Sequence, residues 1–353
     1  MQERWDGVKY TVPMPLPQYS RVALRAFAAI ALLWAARSLR ADDGAASIAA
    51  GGIVMVRESR ITMQKEVLRI SARQVQVDYE FRNDTDKDIT TEVAFPIPPY
   101  SLRYQQASIK IQSFEDFKLI IDKTPITFKV ETKARIKGRD ISPLLHRLGI
   151  DIATFGHIDE DTGRSRDIRK LAAAQRSSLV RAGAITSEVD LDEAAWTVEK
   201  KYYWSQTFPA HAVVRISHQY TPALGSLNTA AVGLLEQSDV HEPYVKELQS
   251  FCIDPILRNT LTAYAKKPDT LVPYSYVDFI LTTANTWKTP IEDFTLIVER
   301  PHNKDTEQTF VSFCWNGPVT KVDSDHFSAH ITNLVPKTDL RVGFFDVMHY
   351  KQP

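Results

Sequence analysis

The sequence predicts an α+β fold that is mainly β, with antiparallel, sandwich-like sheets carrying a helical insertion and a later helical segment. Three observations predict it. Short segments alternate apolar and polar side chains with period two along most of the chain, turn residues separate them, and helix start and stop signals occur in two places. With 353 residues, 44% hydrophobic and 24% charged, the chain can bury one large core or two modest ones, which excludes disordered and collagenous classes.

The first 41 residues read as a leader. In "RVALRAFAAIALLWAARSLRADDG" the basic Arg21 and Arg25 precede an apolar core over residues 26–36, and Ala41 stands ahead of Asp42 and Asp43. That core is shorter than the roughly twenty residues a spanning helix needs, so a cleaved export signal is expected, with Met14 as an alternative start. No later stretch is long and apolar enough to cross a bilayer, so the expected location is exported, soluble in the periplasm or cell envelope. Of 43 basic and 43 acidic residues the leader holds six and two, leaving 37 against 41. That mildly acidic remainder lacks the concentrated basic surface that counterion release requires, which argues against a nucleic-acid partner. Two cysteines, Cys252 and Cys314, suit an oxidising compartment. A disulfide between them is expected, the alternative being two buried thiols acting as small hydrophobes.

Residues 42–353 form a single module with three parts: a β unit over 50–137, a helical insertion over 138–190, and a β unit with helices over 191–350. In the first, "QVQVDYEF" puts Val75, Val77, Tyr79 and Phe81 on one face, and "ITTEVAFPI" does the same for Ile89, Val93, Phe95 and Ile97. The intervening "NDTDKD" is rich in side chains that bond their own backbone, so an antiparallel hairpin is expected. Asp84, Asp86 and Asp88 fit the first, third and fifth positions of a calcium loop. Ile89 then stands where the loop needs Gly and Phe95 where it needs Glu, so no metal or other cofactor is assigned. Pro96 and Pro98 each remove an amide donor, which makes this strand an edge there or the point where the chain leaves the sheet.

Further strands are expected at 117–122, 126–136, 197–204, 212–220, 276–283, 293–301, 309–315, 326–334 and 339–347. Ser142, Pro143 and Gly149 mark the start and end of a short helix. Beyond it, "SRDIRKLAAAQRSSLVRAGA" places Ile168, Leu171, Ala172, Leu179 and Ala182 at helical spacing. The later helical segment is "PYVKELQSFCI", with Asp254-Pro255 capping a second helix after it.

No G-x-S-x-G, H-E-x-x-H, P-loop or G-x-G-x-x-G is present. His326 and His330 share a strand face but lack a nameable third ligand, so solvated histidines are the simpler reading. Trp196, Tyr202 and Trp204 share one face of "WTVEKKYYW", as a stacking platform for a glycan or a partner, or as half of a core. Lys200 on that face points to partial solvent access. Residues 164–181 carry Arg164, Arg166, Arg169, Lys170, Arg176 and Arg181 against Asp167 alone. Arg169, Lys170 and Arg176 are therefore candidates for contact with an anionic membrane surface or acidic protein, against the default of a solvated helix face.

"AAGGIVM", "ITMQKEVLRIS", "VQVDYEFRNDTDKDITTEVAFPIP", "VSFCWNG" and "VPKTDLRVGF" together resemble exported bacterial proteins grouped as domain-of-unknown-function family 4424. The run from Tyr79-x-Phe81-x-Asn83 to Phe95-Pro96-x-Pro98 is the most specific part. The resemblance spans nearly all of the mature chain and implies a signal peptide and one extracytoplasmic module; it brings no catalytic residue. The same hairpin alone is similar to the vault and inter-alpha-trypsin-inhibitor domain. The sequence thus points to a non-enzymatic binding or structural module of the envelope, with an unidentified protein or glycan partner. The alternative is an envelope hydrolase or carbohydrate-active enzyme with carboxylates dispersed along the chain.

Overall fold

The computed structural model describes residues 44–49, 52–101, 114, 116–156, 166–185, 194–227 and 243–349; the leader and Arg164 lie outside the described residues. In chain order the strands are β1 (Gly44–Ala49), β2 (Gly52–Met55), β3 (Ile61–Ile70), β4 (Val75–Asn83), β5 (Ile89–Pro96), β6 (Tyr100–Ser101), β7 (Lys118–Ile121), β8 (Thr124–Pro125), β9 (Lys129–Ile136) and β10 (Arg139–Asp140). Helices α1 (Ser142–Arg147), α2 (Arg166–Arg169) and α3 (Ala173–Ala182) follow, then β11 (Thr197–Phe208), β12 (Val213–Tyr220) and β13 (Leu224–Leu227). Helices α4 (Pro243–Gln249) and α5 (Pro255–Ala265) precede β14 (Thr270–Leu271), β15 (Tyr274–Phe279), β16 (Ile291–Glu299), β17 (Thr306–Phe313), β18 (Thr320–Lys321), β19 (His326–Leu334) and β20 (Leu340–His349). Among the described residues no helix is long and apolar enough to cross a membrane.

Three sheets form. The first runs β10-β9-β11-β5-β1-β2, with β6 also on β11; the second runs β18-β19-β16-β3-β4-β12-β7-β8. The third sets β13 beside β15 and β15 beside β20, with β14 and β17 also on β20. Pairings are antiparallel except β3 with β16, where Lys65 lies opposite Asp293 in a parallel ladder. The mainly β, antiparallel class read from the sequence is the class observed.

The hairpin expected at 83–88 is not a hairpin. Strand β4 pairs with β3 and β12 in the second sheet, whereas β5 pairs with β11 and β1 in the first. The acidic segment therefore arches from one sheet to the other, and the apolar faces of β4 and β5 meet across the core instead of lying side by side. Asn83, fully buried, ties the arch. Its Nδ2 donates to the carbonyls of Lys87 and Phe208 at 2.8 Å each, and its Oδ1 accepts from Thr85 N at 2.9 Å and Thr85 Oγ1 at 2.8 Å. The three aspartates diverge: Asp84 meets Arg82 and Lys288, Asp86 meets His211, and Asp88 accepts the Ala210 amide. The departure from the sheet expected at Pro96 and Pro98 is only an interruption of the ladder. Strand β5 stays on β11 through Pro96, Ile97 donates its amide to the Lys200 carbonyl, and the chain rejoins β11 as β6.

Aromatic side chains fill the space between the first two sheets. The Phe117 ring stacks on Tyr202 at 3.9 Å between centroids, and His218, wholly buried, lies 4.8 Å from Phe95 and 5.4 Å from Trp204. Phe279 of β15 reaches Phe95 at 6.3 Å, which joins the third sheet to the same core. The edge strand β2 is sealed by charge. Glu131 Oε1 accepts the Ile53 amide at 2.9 Å, and Lys201 Nζ donates to the Ile53 carbonyl at 2.7 Å and to Glu131 at 3.2 Å. Burial lowers the Lys201 pKa against the pull of Glu131.

The helical insertion departs from its expected form. The single helix over 165–184 breaks: Ala172 is extended, with ψ 148°, and its amide is taken by Gln175 Oε1 at 3.0 Å. Gln175 Nε2 in turn donates to the Leu148 carbonyl, so α3 begins where it can be tied to the end of α1. Helix α1 is anchored by Asp140, whose Oδ1 accepts both the amide and the hydroxyl of Ser142. In the later helical segment Asp254 caps α5 as expected, accepting the Leu257 amide at 2.8 Å.

Candidate functional site

Thr, Phe and Val in "TEQTFVSF" favour strand, and β17 forms the rim of the third sheet. It pairs with β20 on one side, and among the described residues no strand pairs with its other side. Both of its faces are covered. Phe310 packs toward α5, 6.0 Å from the Tyr264 ring, while Val311 and Phe313 pack against the main core. Among the described residues, what is left open is a row of backbone donors and acceptors, the arrangement that templates another strand.

Each end of this edge is built differently. At the C-terminal end Ser312 Oγ donates to the buried Phe251 carbonyl, and Cys314 stands at disulfide distance from Cys252, with Cα atoms 4.9 Å apart. The expected cysteine pairing thus joins the turn after α4 to the end of β17. Behind it lies a closed polar cluster. Arg341 grips Asp278 at 2.6 and 2.8 Å and lies 4.2 Å over the Tyr276 ring, while Tyr274 and Tyr276 donate to Glu247 at 2.5 and 3.1 Å. Burial and the neighbouring Glu247 carboxylate push both tyrosines well above the ordinary phenol range. These partners are mutually satisfied, so the cluster braces α4 against the sheet.

At the N-terminal end a bulge at Glu307 breaks the register between Thr306 and Gln308. A polar depression opens there, lined by residues 300–303 and 306–309. The Arg300 guanidinium lies 5.5 Å over the Phe327 ring, and its buried Nε has no hydrogen-bond partner. His302 pairs with Asp325 and Glu307 with His349, each at 2.7 Å. Below, Thr309 Oγ1 donates to Asp346, whose carboxyl is raised above its ordinary value by burial.

The aromatic platform on β11 is not at the surface. Trp196, Tyr202 and Trp204 are 1%, 3% and 4% exposed, because β11 is an interior strand covered by the second sheet. Trp196 Nε1 donates to the Ile152 carbonyl, and the Tyr202 hydroxyl donates to the Phe114 carbonyl. Lys200 is buried with them. The candidate basic residues are separated by the helix break, with Arg169 and Lys170 exposed at the end of α2 and Arg176 half-buried on α3. His326 and His330 each pair with their own aspartate, Asp323 and Asp293. Among the described residues no three His, Cys, Asp or Glu side chains converge in a metal-holding group. The open edge of β17 carried no signal in the sequence, because an edge strand and an interior strand covered on both faces read alike.

The family model for the domain of unknown function DUF4424 matches residues 41–342. The chain belongs to DUF4424. No curated protein matches this DUF4424 chain. Among solved structures, a "putative nutrient binding protein" from Legionella pneumophila subsp. pneumophila str. Philadelphia 1 is similar to it at 14% identity. That similarity covers 82% of this chain and 68% of that one, with a TM-score of 0.39, and no argument is built on it.

Proposed function

We propose that this chain is an exported, non-catalytic binding module of the cell envelope that takes up an extended segment of another envelope protein along the outer edge of β17. The observation that carries the reading is a strand covered on both faces and open along one edge. Strand addition there gains main-chain hydrogen bonds without rearranging the core. The leader pattern and the cysteine pair support an oxidising, extracytoplasmic setting.

The test is photo-crosslinking in the producing cell, with a benzophenone side chain at Glu307 and, separately, at Lys321 on the two-residue edge β18. A defined partner should be captured from position 307 and not from 321, and Glu307→Pro should abolish its co-purification with the otherwise native chain. Glu307 lies at the register shift between Thr306 and Gln308, a position where a strand tolerates proline. Crosslinks to this chain alone, or equal capture from both positions, refute the reading.

A second reading, an envelope hydrolase, rests on Asp346, since a carboxyl whose pKa is raised by burial beside a polar depression is placed as a general acid would be. It requires release of reducing ends from envelope glycan that is lost in Asp346→Asn.

A further inference from the structure

The depression sits at the N-terminal end of the open edge, and this placement narrows what the edge can take. An antiparallel partner strand would run toward that end with its own C-terminus leading. Antiparallel pairing is the rule in this molecule, and β17 itself pairs antiparallel with β20. The chain turns at the same place. Residues 300–303 line the depression together with residues 306–309, and Thr306 donates its amide back to the Asn303 carbonyl at 3.3 Å. An added strand that ended there would place its terminal group beside the depression.

That terminal group would meet Arg300. His302 pairs with Asp325 and Glu307 with His349, while Arg300 is near enough to Asp325 to help lower that carboxyl's pKa but makes no ion pair among the described residues. Arg300 is held by its backbone amide, which donates to the Asp325 carbonyl at 2.7 Å, and by the Phe327 face beneath its guanidinium. Its Nε is buried and makes no hydrogen bond among the described residues, although a guanidinium offers five donors suited to a carboxylate. A buried donor without an acceptor is costly in a native structure and is relieved by an occupant that supplies one.

We propose that the β17 edge receives the free C-terminus of its partner as an antiparallel strand, with the terminal carboxylate bound by the Arg300 guanidinium in the depression. This rests on the strand-addition reading above and names the end of the chain that is read. The ligand class is an extended peptide with an unblocked C-terminal carboxylate; main-chain bonds to β17 supply sequence-tolerant affinity, and Arg300 sets polarity and register.

The experiment uses the purified chain and a display library of octapeptides with free C-termini. A selected peptide is synthesised as the free acid and as the C-terminal amide, and both are titrated by fluorescence polarisation. The acid should bind at least about tenfold more tightly than the amide, the change expected when a charge-assisted hydrogen bond is lost. Arg300→Gln should abolish that difference while leaving amide binding in place, and Arg300→Lys should restore part of it. Should Arg300→Gln fail to fold, the acid-to-amide ratio on the unaltered chain still decides the matter. Equal binding of acid and amide overturns the carboxylate inference and leaves strand addition standing. A library that yields no peptide sensitive to Glu307→Pro overturns strand addition, and this inference with it.

Discussion

Replacing Asn83 by Ala is the sharpest test of how the two main sheets are joined. The Asn83 carboxamide uses its full capacity, two donors and two acceptor sites, on Lys87 O, Phe208 O, Thr85 N and Thr85 Oγ1. At about 1 kcal/mol net for each hydrogen bond, and with the buried Phe208 carbonyl left without its donor, Asn83→Ala should cost about 3–5 kcal/mol. That is a large share of the roughly 5–15 kcal/mol that holds a typical domain together. Urea unfolding followed by tryptophan fluorescence reads it as a lower midpoint at unchanged slope. Asn83→Asp adds a sign test. An aspartate there would face two carbonyl oxygens and a buried setting, both of which raise its pKa in the folded state. A group that holds its proton more tightly when folded contributes stability at low pH and loses it as pH rises. The Asp variant should therefore be closer to the parent at pH 4 than at pH 7. An Ala variant that loses less than about 1 kcal/mol, or an Asp variant indifferent to pH, would refute the account of the arch.

Three further outcomes follow from the same kind of reasoning. Lys201→Met leaves the Ile53 carbonyl and much of the Glu131 charge without a partner and should cost about 3 kcal/mol, with hydrogen exchange fastest at residues 52–55. Adding Glu131→Leu should recover part of that loss, and full additivity would count against a coupled pair. Asp346→Asn should raise stability at pH 7 and flatten its decline with pH, because the buried carboxyl titrates above the ordinary 3.8 and its contribution is lost as pH rises through that higher value. Unreduced peptide mapping of the purified protein should find residues 252 and 314 in one crosslinked species. At a sequence separation of 62, reduction should cost about 4 kcal/mol in the chain-entropy model, measured as a shift in urea midpoint with and without reductant.

The strands were legible because burial of one face writes itself as alternation: Val75, Val77, Tyr79 and Phe81 are all buried, as their spacing requires. Which strand lies beside which was not legible. An arch and a hairpin present the same two alternating arms and the same polar connection, and only the packing of Phe95 across from His218 separates them. The aromatic face of β11 failed as a surface site for a related reason, since large rings at period two serve a ligand platform and a core equally well. The Asp254-Pro255 cap was readable because its cause is local. The break at Ala172 was not, because the Gln175 bond to Leu148 reaches across the fold. The depression at Arg300 escaped detection because its residues are ordinary polar ones that matter through where the chain turns.

The parallel ladder between β3 and β16 sets an order of events. Lys65 waits for Asp293, over two hundred residues further on, so one side of an early strand stays bare until most of the chain has been delivered. Contacts of such separation form slowly because a long loop must first be closed. A nascent copy is thus kept from completing its sandwich while synthesis is under way. An export route that accepts only unfolded chains would find it pliable, and closure would begin once the distal half arrives.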